Sequence, residues 1–240
     1  MSERGWDLRI LSWNLWELRG DLRAAIEAIV DLEPDVLLMQ EAPRFVLPTA
    51  RLAWFAGQTG LRVLVGGAGG RGLAILASDE IARQVIRRGA HPVAQRLSDL
   101  NSTYPRGVAA VRLSVPGGGA VVVSSTHLAL QEENRIAHAE HLSALVRGAG
   151  APVIVGGDLN ETADGAARRL LAPVLGDPAE PSELTFPAAR PLRRIDAVMT
   201  TPAVQVRRAE AVTSTQRVPA ERLAGASDHL PTLLDVTVRG

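Results

Sequence analysis

The sequence has no cysteine. That excludes disulfides, thiolate metal sites and a cysteine nucleophile, and it suits a reducing compartment. It has no lysine either, so all 26 basic residues are arginine. Arginine elsewhere hints at phosphate recognition through its bidentate fork; here it is the default cation, and each one carries less information. Neither sign of charge is in excess, because 26 acidic residues balance the arginines. A dedicated, tight nucleic-acid binder usually presents a basic face. Aromatic residues are few, with three Phe and one Tyr, which leaves little for base stacking. No run approaches the roughly 20 apolar residues of a membrane span. The opening Met1-Ser2-Glu3-Arg4-Gly5-Trp6-Asp7 is polar and lacks the apolar core of a signal peptide. The cytoplasm is the expected location.

What is present is enough apolar material for a sizeable core: 46% of 240 residues. One stretch stands out, Val153-Ile154-Val155-Gly156-Gly157-Asp158-Leu159-Asn160. An apolar β-branched run reads as a buried strand. The two glycines are expected to let the backbone turn, leaving Asp158 and Asn160 at the strand's end. Taken alone, Asp-x-Asn after Gly-Gly reads equally well as a turn.

The rest of the chain reads as strands mixed with helices. Residues 7–15 form a strand that ends near Asn14. Residues 21–33 form a helix capped by Asp21 and stopped by Pro34. Residues 35–41 form a second strand ending at Glu41. A helix is expected over 47–58, strands over 61–66 and 72–78, and another strand over 82–88. The glycine run 66–72 lacks the Gly-Lys-Ser/Thr ending of a phosphate loop and reads as a flexible hairpin. Residues 89–105 read as irregular. Residues 106–115 and 119–126 flank Pro116-Gly117-Gly118 as an antiparallel hairpin whose second strand runs into His127. Helices follow over 132–148 and 163–172. Residues 173–193 read as a Pro-rich surface loop with Thr185-Phe186-Pro187 as its aromatic anchor. Strands over 194–199, 204–213 and 232–238 complete the chain. With no repeat or linker, one domain over 1–240 is expected, built of two packed sheets with helices outside.

Polar residues sit at the ends of these apolar strands: Asn14, Glu41, His127, Asp158, Asn160, Asp196, Asp228 and His229. Each alone has a plain structural reading as a turn cap, a solvated end or a satisfied histidine. Together they form a set. Buried acids cost on the order of several kcal/mol each unless compensated, so clustered carboxylates call for a cation. Oxygen and amide donors suit a hard ion such as Mg²⁺ or Mn²⁺. His138 and His141, three apart on a helix, share a face and could bind a metal, but they fall beside a solvated, charged face and read more simply as having no metal role.

The motifs carrying these residues are Ser-Trp-Asn-Leu at Asn14, Met-Gln-Glu-Ala at Glu41, Ser-Thr-His-Leu at His127, Gly-Gly-Asp-Leu-Asn at Asp158, Arg-Ile-Asp at Asp196 and Ser-Asp-His at 227–229. In order and content they resemble the endonuclease/exonuclease/phosphatase superfamily. The resemblance implies an α+β fold, a four-layer α/β/β/α sandwich of two mixed sheets flanked by helices. It implies divalent-metal-dependent cleavage of a phosphate ester, with Mg²⁺ or Mn²⁺ as cofactor. Glu41 would hold the metal, with Asn14 and Asp228 beside it. Asp158 would take the proton of the attacking water, and Asn160 would orient that water or the phosphate. His229 would donate to a phosphate oxygen, and Asp196 would hold its tautomer. His127 and Arg106 would contact the phosphate. Apurinic endonucleases carry an acid two residues after the first Asn; here that position is Trp16, with Glu17 next. That departure weakens any transfer of apurinic-site specificity and leaves the number of metals open.

A phosphodiesterase or phosphatase is the first expectation. A nuclease is the alternative, favoured by the Arg-rich segments 190–194 and 207–208. A catalytically dead binding protein on the same fold is the third reading. Specificity would lie in loops 66–72, 89–105 and 173–193, with Arg96, Asn101 and Tyr104 forming the main substrate rim.

Overall fold

The protein is described here by a computed structural model, which covers residues 5–93 and 106–239. The expected rim residues Arg96, Asn101 and Tyr104 lie outside the described residues.

Apolar runs become strands and pack into two sheets. The first has six strands in the order β10-β11-β1-β2-β4-β3: β10 (Gln205–Ala211), β11 (Thr232–Val238), β1 (Trp6–Asn14), β2 (Val36–Gln40), β4 (Leu73–Ala77) and β3 (Arg62–Val65). The second has five, in the order β5-β6-β7-β8-β9: β5 (Val85–Pro92), β6 (Gly107–Ser114), β7 (Ala120–His127), β8 (Val153–Asp158) and β9 (Asp196–Thr200). Two parallel pairs, β1 with β2 and β7 with β8, are each joined by a crossover helix. The other pairings are antiparallel.

The crossover helices are α1 (Leu22–Leu32) and α4 (Glu132–Arg147). Asp21 caps α1 by accepting from the Ala24 N–H at 2.9 Å, and Glu33 ends it in the left-handed region ahead of Pro34. The remaining helices are α2 (Pro48–Thr59), α3 (Asp79–Ala82), α5 (Ala166–Leu171) and α6 (Ala220–Ala226). Three apolar layers hold the sandwich together. Ile10, Leu38, Val123, Ile154 and Val236 fill the space between the sheets. Leu11, Trp13 and Met39 pack outward onto Ile29, Phe55 and Leu223 of α1, α2 and α6. Val155 and Met199 pack outward onto Leu142 and Leu171 of α4 and α5. The four layers are those expected.

Four local expectations change. Gly156 and Gly157 do not turn the chain; both lie inside β8. A Cβ on Gly156 would stand 2.6 Å from Leu38 Cδ1 and 2.9 Å from Ser12 Cβ on the facing sheet, and one on Gly157 would stand 2.3 Å from the Thr126 carbonyl oxygen. The glycines are there for close approach, not for bending. The strand expected over 82–88 is split: Ser78 caps the one-turn helix α3, and β5 then runs on to Pro92, into residues read as irregular. Helix α6, just before the Ser-Asp-His segment, was not expected at all. The face that His138 shares is not solvated at that position; His138 is 2% exposed. Helix α4 packs on both the sheet and α5, so its buried arc is wider than one stripe.

Candidate active site

Strand register gathers the polar residues. His127, Asp158 and Asp196 end or begin three neighbouring strands, and they lie side by side: His127 pairs with Asp158, and Asp158 with Asp196. On the facing sheet Asn14 ends β1 and pairs with Gln40, so Glu41 follows at the same edge. The segment 227–229 arrives there because β11 runs antiparallel to β1.

Asp158 is the centre of the cluster, 2% exposed. Its Oδ2 accepts from Asn14 Nδ2 at 3.0 Å and lies 3.2 Å from His127 Nε2 and 3.7 Å from His229 Nε2. Its Oδ1 accepts from the Asn160 N–H at 3.0 Å. Burial alone would favour the neutral acid, but His127 and His229 outweigh it and hold the carboxyl below the usual range. Asn160, at a left-handed φ of 51°, places its amide 3.1 Å from His127 Nε2 and donates to the Leu128 carbonyl at 3.0 Å.

His229 is the second pole. Its Nδ1 meets both Asp196 oxygens, at 2.9 and 3.1 Å. Burial works against its charge, but Asp196, Asp158 and Asp228 raise its pKa to about 10. Asp196 is itself pushed upward by burial, against the pull of His229.

Neighbours outside the expected catalytic set fix this pair in place. Trp13 Nε1 donates to the His229 carbonyl at 2.8 Å. The Ser227 hydroxyl donates to the Asn14 carbonyl at 2.6 Å and accepts from the His229 N–H at 3.3 Å. Thr185, fully buried, accepts the Ile195 and Asp196 N–H groups at 3.3 Å, and its carbonyl accepts from Leu230 at 2.9 Å. It therefore ties the Asp196 strand to the His229 segment. The Phe186 ring packs on the His229 imidazole with centroids 4.7 Å apart. Its only sequence signal was being the one aromatic in a Pro-rich loop.

Glu41, half-buried at φ 48°, and Asp228, half-buried, flank Asn14 at this edge. Their carboxylates and the Asn14 Oδ1, which accepts from the Trp16 N–H at 3.1 Å, are oxygen donors of the kind that suits a hard divalent ion. Glu17 is not part of it. The turn Trp16–Leu18 is left-handed throughout, and the buried Glu17 carboxylate pairs with Arg19 at 2.6 Å and Arg44 at 2.9 Å. Among the described residues, three possible ligands also lie within 4.8 Å of one another: Asp158, Asp196 and His229. There each imidazole nitrogen already faces a carboxylate, which suits proton handling better than ligation. Arg106 is 3% exposed. It immediately precedes β6, whose Val108 pairs with Thr126, and so sits at the edge that carries His127. His138 and His141 join no such three-ligand group among the described residues.

A family model described as the Endonuclease/Exonuclease/phosphatase family matches residues 11–229. No curated protein matches the sequence. Solved structures do resemble the fold. An endonuclease/exonuclease/phosphatase family protein from Bacteroides thetaiotaomicron superposes with a TM-score of 0.78 at 18% identity, covering 98% of this chain and 99% of that one. A mannosyl-6-phosphatase from Bacteroides thetaiotaomicron gives 0.74 at 19% identity, over 95% and 99%. The human Nocturnin catalytic domain with bound sulfate gives 0.70 at 18% identity, over 96% and 94%.

Proposed function

The chain belongs to the endonuclease/exonuclease/phosphatase family, and from that membership we propose that it is a divalent-metal-dependent hydrolase of phosphate esters, of the phosphatase or phosphodiesterase kind. The observation that carries this reading is the position of Asp158, between Asn14, Asn160 and two imidazoles at one strand edge.

In-line displacement at phosphorus needs a placed nucleophile on one face and charge stabilisation on the other. Asp158, held ionised, accepts a hydrogen bond from water and takes its proton. A phosphate anion near His127 and His229 weakens their hold on Asp158, which raises its basicity toward the useful range. Asn160 orients the water or a phosphate oxygen. His229 donates from Nε2 as charge builds on the phosphate, while Asp196 keeps Nδ1 protonated. His127 and Arg106 meet the phosphate from the other side. Glu41, Asn14 and Asp228 would hold Mg²⁺ or Mn²⁺, which would supply Lewis-acid stabilisation to the phosphate.

The similarity to a sugar-phosphate phosphatase supports a small soluble ester as substrate. Three of the five arginines that favoured a nuclease are paired with acids. Arg194 is buried against Asp177, and Arg207 and Arg208 pair with Asp7 and Glu210 at 3.1 and 2.5 Å. A screen of phosphate monoesters, small diesters and plasmid DNA with Mg²⁺ and Mn²⁺ tests the reading, with Asp158→Ala as the blank. Loss of a general base should cost at least about 100-fold in turnover, roughly 3 kcal/mol of barrier. Equal turnover in the variant would remove Asp158 from the mechanism, and plasmid nicking without small-ester cleavage would favour the nuclease.

A further inference from the structure

Between β9 and α5 lies a cavity of about 720 Å³. Its wall carries three arginines, Arg168, Arg193 and Arg194, against two acids, Asp164 and Asp177. The side chains of Arg168 and Arg194 are only 5% and 7% exposed. Both close on the same carboxylate: Arg194 Nη2 donates to Asp177 Oδ1 at 2.6 Å, and Arg168 donates to Oδ2. One acid thus serves two buried guanidiniums. Two buried donors of these side chains, Arg168 Nη1 and Arg194 Nε, have no hydrogen-bond partner among the described residues.

Buried donors are ordinarily satisfied, and leaving one unmet costs the full desolvation of that group. The surplus positive charge of Arg168, Arg193 and Arg194 on the cavity wall is what an incoming oxyanion would meet. Asp164 does not cancel the charge: its carboxylate accepts from the Thr162 hydroxyl at 2.5 Å, with Arg169 beside it. Glu161 is also engaged, by Arg135 at 3.3 Å and the Arg168 N–H at 3.0 Å. Burial pushes the Arg168 guanidinium toward losing its charge, with Asp177 opposing; an anion would relieve that pressure.

The cavity adjoins the catalytic edge. Exposed Arg193 stands over the Phe186 ring at 5.1 Å, and the other side of the link is the Phe186–His229 contact at 4.7 Å. Arg193 forms no ion pair among the described residues, so its charge is available to a ligand that reaches past Phe186.

We propose that this cavity is a second oxyanion subsite, so that the enzyme selects phosphate esters carrying a further phosphate or carboxylate next to the ester that is cleaved. This rests on the reading of the Asp158–His229 cleft as the ester-cleaving centre.

Two measurements test it. Thymidine 5′-(p-nitrophenyl phosphate), with and without a 3′-phosphate, is a matched substrate pair. With Mg²⁺, the 3′-phosphate is expected to lower KM by about tenfold or more in the wild type. Arg193→Gln should bring the two KM values to within about twofold. Arg193 is exposed, so its substitution spares the buried Arg168–Asp177–Arg194 group; Arg194→Gln is the second variant, with its fold checked by circular dichroism. Equal KM values in the wild type, or a preference surviving in both variants, overturns the proposal. The second measurement is calorimetric titration of inorganic phosphate into the metal-free full chain. Asp158→Ala should keep a saturable phosphate site that Arg193→Gln loses. If Arg193→Gln binds phosphate as the wild type does, the site belongs to the cleft and the subsite is overturned. If neither ester is cleaved while that site is present, the catalytic reading falls and the subsite stands.

Discussion

Asp196 holds Nδ1 of His229 at 2.9 and 3.1 Å, so Nε2 is the nitrogen presented to Asp158, 3.7 Å away. A buried imidazole gripped in this way keeps its proton far above the pH at which a free one loses it. Asp196→Asn preserves the shape and removes the charge. The His229 pKa should then fall from about 10 toward the ordinary value near 6.5, and kcat at pH 8 should drop by about 100-fold or more. Imidazole titration by NMR and steady-state kinetics read the two effects separately. An unchanged titration would show that Asp196 does not hold the proton.

The proposed metal ligands Glu41, Asn14 and Asp228 predict metal dependence. EDTA should abolish activity, and Mg²⁺ or Mn²⁺ should restore it. Glu41→Gln keeps the side chain's size but removes a charged ligand, so the Mg²⁺ concentration for half-maximal activity should rise by about tenfold or more. Activity that resists the chelator would sink this assignment.

The Asp177 hub predicts acid sensitivity. Burial works to raise the Asp177 pKa, but Arg194 and Arg168 win and lower it. A carboxyl with a lowered folded-state pKa stabilises fully above its unfolded value, near 3.9. It loses that contribution as pH falls through the lower folded value. Asp177→Asn should therefore cost about 3–5 kcal/mol at pH 7 by leaving two buried guanidiniums uncompensated. Its stability should also change less than that of the wild type below pH 4. Urea unfolding at a series of pH values measures both, and parallel curves for the two proteins would contradict the prediction.

Gly156 tests the sheet-to-sheet approach under the site. Alanine there meets Leu38 and Ser12 inside contact distance, so the sheets must separate locally. A destabilisation of about 1–3 kcal/mol is expected, read as a lower midpoint in chemical denaturation. No loss of stability would mean that the facing side chains yield freely.

Much of the fold was legible because its signals are local. Asp21 and Pro34 bracket α1 by chemistry that acts within one turn, and β11 begins and ends where its apolar pattern does. Helix α6 was missed because Ala220-Glu221-Arg222-Leu223-Ala224-Gly225-Ala226 has too few apolar positions to show a period. The glycines of β8 were misread because a turn and a tight packing contact leave the same letters in sequence. Their difference lies in Ser12 and Leu38, which are well over 100 positions away.

The sequence by itself determined which residues stand at strand ends and what chemistry their types permit: acids and amides for a hard cation, a histidine with a carboxylate partner, and no thiol. Only the tertiary structure decided which of these meet. It set Asp158 between two imidazoles, joined Thr185 and Phe186 to the His229 segment, turned Glu17 toward Arg19 and Arg44, and gathered Arg168 and Arg194 on Asp177 beside β9. The physical reason is that strand register and sheet stacking act between distant segments. A side chain's partners, burial and charge therefore follow from neighbours that its own stretch of sequence does not contain.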